Sequence, residues 1–313
     1  MESKKPSNTL IQTFDFEGSG AFPRYHPAVA IGITTLHDGN LHSKTVLSAC
    51  HEGLLGMFEP RCWTQFWLEF PSVLNDLMRP PPPLEDPDLY FRQMAIGFVD
   101  ITRQNEAFAI DKNLAFTIGN DNQAYDAFLL QRLLEQFNQD ILKAYPDYLE
   151  KLTAQPEGLK PKPGLEFFYP LPWSFLTPGK YGACRLVDFS NKMEGACDMA
   201  IALVKTFTGI DLEAGPKLGK WELLNQIFDI PPAPEKFEHD HLPDNDAYVI
   251  AWQAFVMDEI KKGNIKLRDP IPPKSVEITI SDASSSSRSK SASSSSKSLQ
   301  WTKKKRKRAS NVN

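Results

Sequence analysis

Three short runs near the start of the chain, residues 10–17, 29–35 and 41–48, carry apolar side chains at the period of a strand. Turns bearing Gly, Pro or Asn separate them, Asp38-Gly39-Asn40 being one, so the pattern predicts a meander of consecutive strands. A mixed helical pattern follows from about 63 to 101, interrupted by Pro71 and by the block Pro80-Pro81-Pro82-Pro83, which must form a loop. Residues 113–118 read as a fourth strand. The next segment, 124 to about 145, is the best helix in the chain, with Ala127, Leu130, Leu134, Phe137 and Ile141 recurring every three or four residues. A strand handing over to a long amphipathic helix is an α/β unit.

Farther on, residues 155–179 are rich in Pro and Gly and carry Phe167, Phe168, Tyr169, Trp173 and Phe175, an irregular segment with much aromatic surface. Such rings pack loops onto a body more often than they stack on bases. The pattern then predicts a strand at 184–189, a helix at about 191–207 and a last helix at about 246–262, stopped by Gly263-Asn264. Residues 276–280 alternate at the strand period and suit either an edge strand or a peptide that pairs with a partner's sheet. No internal repeat is present.

Composition changes this picture chiefly at the C-terminal side. Eleven of the fifteen residues from Ser284 to Ser298 are serine, which marks a flexible linker, expected over 282–300. Beyond it, in a basic tail over 301–313, Lys303, Lys304, Lys305, Arg306, Lys307 and Arg308 form six consecutive cations of the kind read as a nuclear localisation signal or a nucleic-acid-binding arm. A nuclear import receptor is the partner this run implies, with a nuclear location expected and a cytoplasmic one otherwise. The net charge of −4 conceals an asymmetry: nine cations and no acid lie from Arg288 onward, and taking those nine away leaves −13 for the first 287 residues. Cys50, Cys62, Cys184 and Cys197 show no zinc-like spacing, no apolar segment opens the chain, and no stretch approaches the roughly 20 apolar residues of a membrane span. The expectation is a reduced, non-secreted protein without a membrane partner.

Candidate chemistry concentrates in three places. The first strand ends in Phe14-Asp15-Phe16-Glu17-Gly18-Ser19-Gly20. Side chains alternate across a strand, so Asp15 and Glu17 point to one side about 7 Å apart and could share a divalent metal. At the junction of the fourth strand and the long helix stands Asn120-Asp121-Asn122-Gln123-Ala124-Tyr125-Asp126, with Asp126 in the helix's first turns near the carboxyl end of a strand, where α/β sheets place ligands. His241-Leu242-Pro243-Asp244-Asn245-Asp246-Ala247 then opens the last helix. Alone, each is ordinary.

Together, an Asp-x-Glu closing a first strand, an Asn-x-x-Tyr-Asp opening one helix and a His-x-x-x-x-Asp-Ala opening another resemble the DEDDh 3′–5′ exonucleases, a ribonuclease H-like superfamily. The likeness spans about residues 10–260, with roughly 25 residues in the three specific motifs. It implies a central mixed sheet of about five strands flanked by helices, in an exonuclease domain over 1–281 with a Pro- and aromatic-rich insertion at about 150–183. It further implies Asp15, Glu17, Asp126 and Asp246 as ligands of two Mg²⁺ or Mn²⁺ ions, and His241 as general base. Asp15 would bridge both ions, Glu17 and Asp246 would complete one, and Asp126 would hold the other mainly through water. Phe16, Gly18, Ser19, Asn122 and Tyr125 would lie near the substrate.

Four departures accompany the likeness. Gly18-Ser19-Gly20 stands where many members have a Thr or Met, and Ala30 stands where the second strand usually carries an acid. The interval from Asp126 to His241 is long. His239 and Asp244 repeat the spacing of His241 and Asp246, the second pair being preferred because Ala247 and the apolar face Ile250, Ala251, Ala254 and Phe255 follow it. The implied activity is hydrolysis of single-stranded RNA or DNA ends to nucleoside 5′-monophosphates; the competing reading is a catalytically silent nucleic-acid-binding or scaffold protein on the same fold, working through its tail. The acidic body argues against a broad basic groove.

Overall fold

A computed structural model describes residues 8–146, 187–208, 220–236 and 241–268. The insertion, the serine linker, the basic tail, the 276–280 segment, His239 and Cys184 lie outside these residues. The meander is present as β1 (Thr9–Gly18), β2 (Ala28–His37) and β3 (Asn40–Ser48). Asp38 and Gly39 both take positive φ, 50° and 80°, which a two-residue turn between right-twisted strands demands.

The region after β3 is more broken than its pattern suggests. Short α1 (Pro60–Cys62) runs into one wide π-type turn, Trp63–Trp67. Pro71 marks the expected interruption: after a break at residues 68–70 it begins α2 (Pro71–Leu77), at a position where a missing N–H costs no hydrogen bond. Pro80 to Pro83 link α2 to α3 (Leu89–Lys112), which continues well beyond residue 101. Asn113 ends α3 in the left-handed region, φ 56°, so β4 is Ala115–Asn120 and starts two residues later than expected. The long helix expected from 124 is three pieces: a π-type turn at Gln123–Ala127, α4 (Phe128–Gln136) and α5 (Asn138–Ala144). Phe137 leaves the helical region between α4 and α5, with its ring and Ile141 both still buried.

Two-residue β5 (Val187–Asp188) leads into α6 (Phe189–Thr208), and α7 (Lys220–Ile227) is a helix absent from the sequence expectation. The last helix, α8 (Pro243–Lys261), starts three residues before Asp246. The four full strands form a mixed sheet in the order β3-β2-β1-β4, and β5 pairs with the end of β4 at its edge. Only β2 runs against the others: it is antiparallel to β1 and β3, while β4 is parallel to β1.

Helices cover both faces, which is why nearly all of β2 is buried. One face packs Leu10, Phe14, Phe16, Ile31 and Ile33 against α3, α4 and α5. The other packs Ile11 and Leu36 against α6, α7 and α8. A third cluster joins Val29, Ala30 and Cys50 to the aromatic rings of the segment after β3. Among the described residues no helix is long and apolar enough to cross a membrane.

Candidate metal centre

The face of β1 that looks toward α8 changes character along its length. Ile11 pairs with Leu36 of β2, Thr13 with Thr34, Asp15 with Gly32 and Glu17 with Ala30, so apolar, hydroxyl and acidic positions succeed one another toward the carboxyl end. The first turn of α8 lies on the middle of this surface. Thr34 donates its hydroxyl to the Asp244 carbonyl at 2.8 Å, and Thr13 donates to the Ala247 carbonyl at 2.5 Å. Gly32 makes the approach possible, because a methyl group there would overlap the backbone of Pro243 and Asp244. Asp246 is thereby delivered beside Asp15.

Asp15, Glu17 and Asp246 each bring a carboxylate oxygen to within 4.8 Å of the others. Asp15, Asp121 and Asp126 do the same, so Asp15 belongs to both groups. Asp126 reaches it from the π-type turn at the end of β4, a local widening that often accompanies functional positions. It is 2% exposed and accepts hydrogen bonds from the Phe16 backbone N–H and the Asn120 side chain. Even so, burial and the neighbouring Asp121 charge hold its carboxyl well above the usual carboxylate range. Burial, then the charges of Asp126, Glu17 and Asp246, raises Asp15 likewise. Glu17 is raised by burial and by Asp246 and Asp126. These directions describe negative charge crowded together.

The four expected carboxylates therefore converge, and Asp121 joins them as a fifth that the motif did not include. Its signal was available, since it lies one residue past the carboxyl end of a parallel strand. The competing register is distinguished at Asp244, which is taken up elsewhere: 9% exposed, it pairs with Lys44 of β3 at 3.3 Å, and the same amine contacts the Asn245 side chain. Lys44 was also missed, a single cation on a half-buried strand offering no pattern to read.

His241 stands just before α8, with its ring against Phe70 at a centroid distance of 3.9 Å and edge-on to Phe66 at 6.2 Å. Of the residues expected near substrate, Phe16 is buried in the core below α3, and Ser19 is fully buried with its hydroxyl donating to the Pro27 carbonyl at 3.3 Å. Both contribute backbone and packing rather than side chains open to a ligand. Gly18 lies directly under the Tyr125 hydroxyl, which donates to the Gly20 carbonyl at 2.9 Å. Burial and the charges of Glu17 and Asp126 push the Tyr125 phenol up, so it stays a donor. Asn122 is exposed, and its carbonyl accepts from the backbone N–H of Asp126 at 2.9 Å, fixing the turn.

What the centre can do follows from its donors: among the described residues five carboxylates come together and could hold a metal ion. No model of a known protein family matches the chain, and no curated protein matches it.

Proposed function

We propose that this chain is a metal-dependent 3′–5′ exonuclease of the DEDDh kind, hydrolysing single-stranded RNA or DNA ends to nucleoside 5′-monophosphates with two Mg²⁺ or Mn²⁺ ions. The observation that carries the reading is the double membership of Asp15, which shares one carboxylate group with Glu17 and Asp246 and another with Asp121 and Asp126. A bridging carboxylate with ligands on either side is the donor arrangement that a pair of close divalent ions requires. The sheet order, with β2 alone antiparallel, is compatible with a ribonuclease H-like fold.

The residues fit such ions on charge as well as on donor type, since the carboxyls are held up by mutual repulsion in a buried setting that cations relieve. When bound, the ions would activate water and offset charge on the reacting phosphate. Asp15 would be their common ligand, Glu17 and Asp246 would hold one, and Asp126 with Asp121 the other. His241 would take the proton of the attacking water. The basic tail would hold substrate near the centre through a flexible tether, or engage a nuclear import receptor.

The test is a time course with purified protein on 5′-labelled single-stranded RNA and DNA of one sequence, with Mg²⁺, Mn²⁺ or chelator, alongside Asp15→Ala. A ladder shortening from the 3′ end, abolished by chelator and by the substitution, is expected, and the faster strand names the preferred sugar. Degradation retained in Asp15→Ala would refute the assignment of the centre. Binding without degradation under any metal would favour the silent nucleic-acid-binding alternative.

A further inference from the structure

A catalytic base is ordinarily held in place by a hydrogen bond from a third group, commonly a carboxylate. His241 has no such partner among the described residues; what touches its ring is aromatic. Phe70 lies at 3.9 Å between centroids with the planes tilted by 44°, and Phe66 approaches at 84°, edge to face. The neighbouring Leu242 packs into the same cluster, so backbone and ring are anchored on one bank.

That bank is tied to the carboxylates by a continuous chain of contacts. Phe66 meets Phe70 at 5.3 Å and Trp67 at 5.1 Å. Trp67 is fully buried, and its indole N–H donates to the Gly18 carbonyl at 3.3 Å, the residue directly after Glu17. These contacts run from the end of β1 through Trp67, Phe66 and Phe70 to His241. Phe66 and Trp67 both lie in the wide turn at Trp63–Trp67, Phe66 meeting His241 and Trp67 buried in the core.

Resting on the reading of His241 as general base, we infer that Phe70 is a positioning residue that orients the His241 imidazole by ring packing. Phe70 lies outside the two carboxylate groups that would hold the ions. Its removal costs rate by letting the imidazole leave its orientation, and leaves the metal centre and strand binding as they were.

The experiment compares kcat and KM of the full-length Phe70→Leu, Phe70→Tyr, His241→Ala and Phe70→Leu/His241→Ala proteins on a single-stranded oligonucleotide with Mn²⁺. An aromatic pair of this kind corresponds to about a three- to tenfold effect. Phe70→Leu should lower kcat by that factor with KM and the Mn²⁺-induced rise in Tm unchanged, and Phe70→Tyr should restore it. In the His241→Ala background Phe70→Leu should do nothing further, which a merely structural role would not produce. Additive losses, or a change confined to KM or metal binding, would overturn the inference while leaving the exonuclease reading intact. A fully active His241→Ala, or a wild type without turnover, would remove the base assignment and the inference with it. If Phe70→Leu does not fold, Phe66→Leu carries the same cycle with a smaller expected drop.

Discussion

The two carboxylate groups that meet at Asp15 are supported in different ways. Glu17 and Asp246 come from opposite ends of the described chain, β1 and α8, and stay partly open to solvent. Their meeting depends on tertiary packing: the bare backbone at Gly32, the hydroxyls of Thr13 and Thr34, and the Lys44 clamp on Asp244. Asp121 and Asp126 are neighbours in sequence, set by the turn after β4 and by hydrogen bonds from Phe16 and Asn120, and Asp126 is almost wholly buried. One side of the centre is thus as stable as a helix docking; the other is as stable as a local turn. Disturbances to α8 should disassemble the first and spare the second.

Gly32→Ala should break this comparison most severely. The added methyl group falls on the backbone of Pro243 and Asp244, which cannot swing aside as a side-chain tip can. The expected cost lies at or above the upper end of about 1–3 kcal/mol. Calorimetry should show a large drop in Tm, and Mn²⁺ titration should show the site made by Glu17 and Asp246 weakened far more than the other. Two sites weakened equally would mean that the supports are not separable.

Lys44→Met is the milder attack on the same side. It retains the stem but leaves the Asp244 carboxylate without its ion pair, and Asp244 Oδ1 already has no hydrogen-bond partner among the described residues. Stranding a mostly buried charge in this way costs about 1–3 kcal/mol. Thermal unfolding should register that loss, and turnover should fall less than in Gly32→Ala because α8 keeps its seat. An unchanged Tm would remove Lys44 from the support of the helix.

What the sequence made legible divides along similar lines. The meander, the convergence of Asp15 and Glu17 and the order of the motifs follow from periods and local spacing, and all were readable. Asp126 and Asp246 stood out by position, their role as metal ligands entered through the resemblance, and geometry brings them to Asp15. Asp121 went unremarked because an acid beside a strand end is common, and only the third dimension turns it toward Asp15. The break at Phe137 was hidden because its apolar period continues across a backbone that does not. Lys44, Gly32 and the Phe70 contact with His241 join residues far apart in the chain, and no periodicity encodes such pairings.

The smallest expected effect separates the two groups by charge. Asp15, Glu17 and Asp126 have folded-state pKa values raised above their ordinary ones, so between those limits the native protein binds more protons than the unfolded chain. Stability of the metal-free protein must then fall as pH rises from the ordinary carboxylate range through the raised values. In chelator, Tm should decline as pH rises above the ordinary carboxylate range, and Mn²⁺ should raise it more at the upper end of that decline than at the lower, because the ions bind deprotonated ligands of the folded state only. Asp121→Asn removes the charge that, after burial, weighs most on Asp126. It should raise the metal-free Tm near neutral pH by a few degrees and flatten its decline. The same change should reduce the Mn²⁺-induced rise, since a ligand of the buried group is lost. Glu17→Gln should relieve Asp15 in turn, because Glu17 stands among the charges acting on it, but with less effect on Asp126, whose principal charged neighbour is Asp121. A metal-free Tm that climbs over this range, or that Asp121→Asn lowers, would mean that the carboxylates are not repelling one another and that the centre is not poised for cations.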